Sequence, residues 1–255
     1  MTHWIEKHSI HSEIAEATWS AHDPTWSYTH DLTFTADGSR VAAVDRAGTV
    51  RTFDTANGTL LSELSTGMSV RLGPGAAPGQ VLAVGENRVF VLEADGSTRT
   101  SEGRFDRSRA EMLCVLALSD DLVVTGHRDG AIRRWSLAKG AVVRGQFKVK
   151  GSSAAVTDLT RTKDGGFLSV SAKVWKWSDD PKGAPELVHE HRRPLDGVFA
   201  CGDDVFVTGS ADVRAWFADG RSLELANSAG ARVAACSNGL VYAAYPGRVF
   251  LYDYK

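Results

Sequence analysis

Cysteine and methionine are scarce here, at three each, and there are only seven prolines in 255 residues. An odd cysteine count rules out a scaffold stapled throughout by disulfides. With no export signal in sight, Cys114, Cys201 and Cys236 are expected to be free, buried thiols in a reducing cytoplasm. No apolar run approaches a membrane span, and Met1-Thr-His-Trp-Ile-Glu-Lys7 lacks the apolar stretch of a signal peptide. Neither sign of charge is in excess. The formal net charge is −2 and the pI is near 6.4, which argues against a nucleic-acid binder, since that role needs a basic face. No long stretch carries a helical period, so the class is all-β. Catalytic motifs are missing as well: there is no Gly-x-Ser-x-Gly elbow, phosphate loop, His-Glu-x-x-His or Cys-x-x-Cys. A non-enzyme with no cofactor or metal is the expectation, with neither nucleic acid nor membrane as a partner.

What the chain does have is a recurring four-residue phrase, a β-branched residue followed at the fourth position by a large aromatic or aliphatic one. It reads Val50-Arg-Thr-Phe53, Val89-Phe-Val-Leu92, Ile132-Arg-Arg-Trp135, Val174-Trp-Lys-Trp177, Val213-Arg-Ala-Trp216 and Val249-Phe-Leu-Tyr252. The copies are about 36 to 43 residues apart, a period that marks a repeat whose unit buries its apolar face only by stacking on copies of itself. Four short strands surround the phrase, clearest in the first copy. Asp31-Leu-Thr-Phe-Thr35 turns at Ala36-Asp-Gly38 into Arg40-Val-Ala-Ala-Val44, then Thr49–Asp54, then Thr59–Leu64. Gly, Asn and Asp separate the runs where positive φ is needed. Six such units make a six-bladed β-propeller. A propeller is a platform, so its job is decided by the sites it carries.

The third copy, Val123-Val-Thr-Gly-His-Arg-Asp-Gly-Ala-Ile-Arg-Arg-Trp-Ser136, resembles the core of a WD repeat. Thr125, Asp129 and Trp135 match that family's hydrogen-bonded Ser/Thr, turn Asp and strand Trp. Ala21-His22 stands where the family has Gly-His. The resemblance is degenerate: Phe53-Asp54 and Tyr252-Asp253 come nearest to a true Trp-Asp, and most copies have short turns before the third strand. It implies a propeller that binds other proteins, and a full Asp-His-Ser/Thr-Trp network missing from most blades.

The blades are expected at about 25–66, 67–104, 112–150, 154–191, 195–228 and 231–255. The last has three strands. Trp4-Ile-Glu-Lys-His-Ser-Ile10 precedes the first repeat without a unit of its own, so residues 3–13 are expected to complete the sixth blade and close the ring. A short N-terminal helix is the alternative, because Ile10 and Ile14 are one helical turn apart.

Three groups of residues are candidates for function. His189-Glu-His191 could begin a metal site, but with no third ligand nearby two exposed surface histidines are expected. Counting back from the first turn of each copy aligns Asp31, Cys114, Asp158 and Arg232, with Arg71 and Asp196, at the mouth of a central channel. Structural ion pairing is the expected role of this polar ring. The alternative is a metal-dependent hydrolase or lactonase using Asp158 and Asp196, although two ligands hold a catalytic metal poorly. The third group lies in the connections between copies: Trp19, Trp26, Arg104, Phe105, Arg107, Arg109, Lys148, Lys150, Arg192 and Arg193. Aromatic and Arg residues are favoured at interface hot spots, so these are expected to bind an acidic protein. Solvated loops are the plainer alternative for the charges, and a carbohydrate- or small-ligand-binding propeller is the alternative for the exposed tryptophans. The expected role is a non-catalytic interaction subunit in a bacterial cytoplasm.

Overall fold

In the computed structural model, residues 29–86, 88–102, 110–139, 141–147, 154–178, 183–190, 195, 197–200, 205–209, 212–217, 221–227, 232–237, 240–245 and 248–253 are described. They contain strands and turns and no helix, as the sequence leads one to expect. The strands form six antiparallel sheets in which each strand pairs with the next in the chain. The first sheet holds β1 (Thr29–Phe34), β2 (Arg40–Asp45), β3 (Thr49–Asp54) and β4 (Leu60–Ser65). In the second are β5 (Arg71–Pro74), β6 (Val81–Gly85), β7 (Arg88–Leu92) and β8 (Thr98–Glu102). The third has β9 (Met112–Ala117), β10 (Leu122–His127), β11 (Ile132–Ser136) and β12 (Ala141–Phe147). The fourth has β13 (Asp158–Arg161), β14 (Phe167–Val170), β15 (Lys173–Trp177) and β16 (Glu186–Glu190). The fifth follows with β17 (Gly197–Ala200), β18 (Val205–Gly209), β19 (Asp212–Phe217) and β20 (Ser222–Asn227). The sixth has three strands: β21 (Arg232–Ser237), β22 (Leu240–Tyr245) and β23 (Arg248–Asp253).

The chain divides into two compact units, Thr18–Val156, and Thr157–Lys255 with Met1–Ala17. Within the first, stacking explains why the second sheet reads as unbroken apolar runs. Val81, Ala83, Phe90 and Leu92 pack against Ala42, Val44 and Val50 of the first sheet. Leu82, Val84, Val89 and Val91 point the other way, onto Met112, Val115, Ala117, Val123 and Trp135 of the third. A strand covered on both faces has no polar side to show, so the usual alternation disappears. In the second unit Leu168, Val170 and Val174 of the fourth sheet meet Val198 and Phe206 of the fifth. Each fully buried aliphatic of this kind stabilises the stack by about 1.5–3 kcal/mol.

First strands of neighbouring sheets run side by side, β1 beside β5 and β5 beside β9, and in the other unit β13 beside β17. The approach is close enough that a Cβ on Gly73 would collide with the Val115 carbonyl. Gly48 is required twice over. Its φ is +84, and a Cβ there would strike the Met68 carbonyl.

Among the described side chains, those of the fourth strands β4, β8 and β16 are covered least. Leu60 and Leu61 on β4 are 50% and 41% exposed, and Leu187 and Val188 on β16 are 44% and 37% exposed. Register shifts mark the same strands. Leu61 is an extra residue between the pairs Thr52–Ser62 and Phe53–Leu60, and Val188 one between Val174–His189 and Trp175–Leu187. Leu225 is inserted likewise in β20.

Among the described residues no helix is long and apolar enough to cross a membrane.

Candidate functional site

Strand register converts the recurring phrase into geometry. Its first residue pairs with a second-strand partner in all six sheets: Val50 with Val44, Val89 with Val84, Ile132 with Gly126, Val174 with Val170, Val213 with Gly209 and Val249 with Ala244. Those partners in turn pair with Asp31, Arg71, Cys114, Asp158, Gly197 and Arg232 on the first strands. Five members of the polar row expected from counting therefore occupy one register position. In the fifth sheet that position belongs to Gly197, and Asp196 lies outside the described residues.

The two carboxylates of the row do the same thing in their separate units. Asp31 accepts the Leu32 N–H through Oδ1 at 3.0 Å and, through Oδ2 at 2.9 Å, the Leu72 N–H of the next sheet's first strand. Asp158 accepts from Leu159 at 2.8 Å and from Val198 at 2.9 Å. Each side chain thus fastens its own strand to the neighbouring sheet. A Cβ on Gly197 would sit 3.4 Å from Asp158 Oδ2, so the glycine leaves this carboxylate room. Cys114, buried, occupies the row in the third sheet, with its thiol 3.6 Å from the Val156 carbonyl. Arg71 is half-buried on β5.

The row of Asp31 and Asp158 heads a longer shared sequence that counting along the chain did not single out. Asp31-Leu-Thr-x-Thr35-x-Asp37-Gly38 returns as Asp158-Leu-Thr-x-Thr162-x-Asp164-Gly165. In both copies the Thr hydroxyl donates to the turn Asp, at 2.6 Å for Thr35 and 2.5 Å for Thr162. Burial works to raise the Asp37 carboxyl, but the Thr35 and Ser39 hydroxyls and backbone N–H groups bring it down to about 2. Lys176 and then Thr162 hold Asp164 at about 2.

In the third sheet Thr125, His127 and Trp135 form a buried chain of polar groups. The Trp135 indole donates to Thr125 Oγ1 at 2.5 Å, and Thr125 Oγ1 is 2.8 Å from His127 Nε2. His127 Nδ1 lies 3.2 Å from the Ala110 carbonyl. Asp129, in the turn, binds Arg133 at 2.8 Å and accepts the Ala131 N–H. The Arg133 bond is the main cause of an Asp129 carboxyl held at about 2. Indole-to-hydroxyl bonds recur at Trp177–Ser169 (2.8 Å) and Trp216–Thr208 (2.9 Å). His127 and Arg133 were not singled out from the sequence, although Thr125-Gly-His127 ahead of Trp135 was the available signal.

His189 is half-buried, with its ring centroid 3.5 Å from that of Trp216. Stacking of the fourth sheet on the fifth covers it, where an exposed histidine was expected. His191 lies outside the described residues. So do all ten connection residues: Trp19, Trp26, Arg104, Phe105, Arg107, Arg109, Lys148, Lys150, Arg192 and Arg193. Of the three cysteines the side chain of Cys114 alone is described. Among the described residues no group of three or more His, Cys, Asp or Glu could hold a metal ion.

No family model matches this chain, and no curated protein is significantly similar to it.

Proposed function

We propose that the six sheets are blades of one WD-repeat-like β-propeller, closed by residues 3–13 as the fourth strand of the last blade. The sixth sheet supports this closure, because the outer edge of β23 has no partner strand among the described residues. On this reading the protein is a non-catalytic platform for an acidic protein partner, in a reducing cytoplasm. The buried Cys114 thiol fits that compartment.

The observation that carries the platform is that within Thr18–Val156 the mostly acidic hairpins lie at the strand ends away from the basic connections. The hairpins joining first to second and third to fourth strands, with the strand ends beside them, hold Asp37, Asp54, Glu93, Asp95, Asp120 and Asp121 against Lys139. Arg46, Arg88 and Arg128 sit at the opposite ends of the strands together with Asp45, Glu86, Glu111 and Asp129, and the connections containing Arg104, Phe105, Arg107 and Arg109, and Lys148 and Lys150, leave or enter there. Those connections carry five bases against the single Asp106, a charge that would orient an acidic partner before contact, and flat side chains such as Phe105, with Trp19 and Trp26, would anchor it. Asp158 spends both carboxylate oxygens on backbone N–H groups, which favours this role over a hydrolase built on Asp158 and Asp196.

The test is affinity capture from the source organism with mass spectrometry, followed by binding measurements on the partner found. Phe105→Ala or Arg107→Ala should weaken that complex by about 1–3 kcal/mol and leave folding unchanged. A double mutant that binds as tightly as the wild type would place the platform elsewhere.

A further inference from the structure

Asn57 and Gly58 lie in the hairpin that joins β3 to β4. The pair suits a tight turn, because Gly58 takes a φ of +73 at no steric cost. The same lack of a side chain leaves the Gly58 nitrogen unhindered beside the side-chain carbonyl of Asn57, and Asn57 is exposed. Asn238-Gly239 repeats the pair outside the described residues.

An Asn-Gly pair carries its own nucleophile. The Gly58 nitrogen gives up its proton and attacks Asn57 Cγ. A C–N bond forms, the Cγ–Nδ2 bond breaks, and ammonia leaves with that proton. Water then opens the cyclic imide at one or the other carbonyl. Position 57 is left as an aspartyl or an isoaspartyl residue, and water is the only reagent consumed.

In the folded hairpin this sequence is stopped at the proton. The Gly58 N–H donates to the Asp54 carbonyl at 2.9 Å. Asp54 holds the rest of the turn as well. Its Oδ1 accepts the N–H of Ala56 at 2.7 Å and that of Asn57 at 3.3 Å, and its own N–H donates to the Thr59 carbonyl at 2.9 Å. Thr55 ties the turn to the neighbouring hairpin, its N–H and hydroxyl reaching the Ser39 carbonyl at 3.1 and 3.0 Å. One bond works the other way. The Thr59 N–H donates to Asn57 Oδ1 at 2.9 Å, which draws electrons from Cγ and favours attack. That gain is idle while the attacking nitrogen keeps its proton. The anion that nitrogen would become is further disfavoured by the nearby Asp54 carboxylate.

We propose that Asn57 is a deamidation site kept closed by its own turn, so that conversion there records openings of the outer hairpin of the first sheet. Hydrogen exchange at the Gly58 amide and imide formation need the same event, the release of one N–H from the Asp54 carbonyl. The two rates are therefore tied. Conversion adds a negative charge close to Asp54 and, in the isoaspartyl form, one more carbon to the backbone of the turn. The site is independent of whether the protein binds a partner.

Full-length protein held in mildly alkaline buffer, native or in guanidinium chloride, tests this by peptide mass spectrometry with chromatographic separation of the aspartyl and isoaspartyl forms. In denaturant Asn57 and Asn238 should convert at similar rates. In the native protein Asn57 should convert at least about tenfold more slowly, and the ratio of its two rates should match the protection of the Gly58 amide within about threefold. Asp54→Ala removes the acceptor of the Ala56 and Asn57 N–H groups. It should speed native conversion and leave the rate in denaturant unchanged. No conversion in denaturant, native conversion as fast as in denaturant, or a ratio unrelated to Gly58 protection each overturn the proposal. A native rate that Asp54→Ala leaves unmoved overturns it too. Should that variant fail to fold, the wild-type rates and the Gly58 exchange decide the matter by themselves.

Discussion

The Trp177 indole N–H lies 2.8 Å from the hydroxyl of Ser169, two residues beyond Phe167, which Trp177 faces across the sheet. Trp135 and Trp216 reach Thr125 and Thr208 at the same offset. In the other three sheets the phrase ends in Phe53, Leu92 and Tyr252, and the offset position is Ala43, Ala83 and Ala243. A buried indole has a proton to place, and a hydroxyl stands at this position only where there is one.

Removing one member of such a pair should therefore cost more than removing both would suggest. Ser169→Ala strands the indole of Trp177, which is only 3% exposed, and should destabilise the protein by about 1–3 kcal/mol. Trp177→Phe in the same chain removes the stranded proton. A denaturant double-mutant cycle should show the Ser169→Ala penalty shrinking when Trp177→Phe is already in place. Strict additivity would mean that the hydroxyl contributes nothing through the indole.

Asp158 should act as a fastener between sheets. Asp158→Ala leaves the N–H of Val198, a residue that is 0% exposed, without its acceptor, at a cost of about 1–3 kcal/mol. Asp158→Asn keeps one acceptor oxygen and should cost less. Faster exchange of the Val198 amide in the alanine variant, with β6 amides unchanged, is the local signature. An unchanged Val198 rate would show that the bond is dispensable.

Acid should weaken the turns before it weakens the cores. Asp37, Asp129 and Asp164 are each held at about 2, below the usual 3.8. A depressed carboxyl stabilises the folded state fully above the ordinary value, and that contribution is lost as pH falls from about 4 toward about 2. The urea midpoint should drop across this window. Asn at positions 37 and 164 should lower the midpoint at neutral pH and flatten the drop. A wild-type midpoint that is level down to pH 2 would contradict these shifts.

Cys114 is 3% exposed, with its thiol directed at a backbone carbonyl. A thiol reagent should label it slowly in the native protein and rapidly in denaturant, as resolved by peptide mass spectrometry. Rapid native labelling would mean that the sheet opens there far more often than its packing implies.

The repeating row was readable because side-chain identity and pairing register coincide: the β-branched residue of the phrase is the first or second residue of the third strand in every sheet. Asp31 and Asp158 were found by counting for the same reason, their distance from the first turn being fixed. Counting failed by one residue at Asp196, since the register there is set by β18, with Gly209 opposite Gly197. His189 was misjudged because its cover comes from Trp216 in another sheet, and stacking between sheets has no period along the chain. His127 was overlooked because a lone histidine carries little signal until Thr125 and Trp135 are brought beside it. The coupling of tryptophan to hydroxyl was open to view once the six phrases were aligned with the strands before them.

Exposed Leu60, Leu61, Leu187 and Val188 lie on strands with an inserted residue at Leu61 and Val188. A flat apolar edge repeated within one molecule would invite other copies to add strand upon strand, the growth habit of amyloid. The inserted residue breaks the even spacing of N–H and C=O groups that such growth requires. The chain can thus carry aliphatic side chains on its outermost strands and still offer a poor seed for fibres.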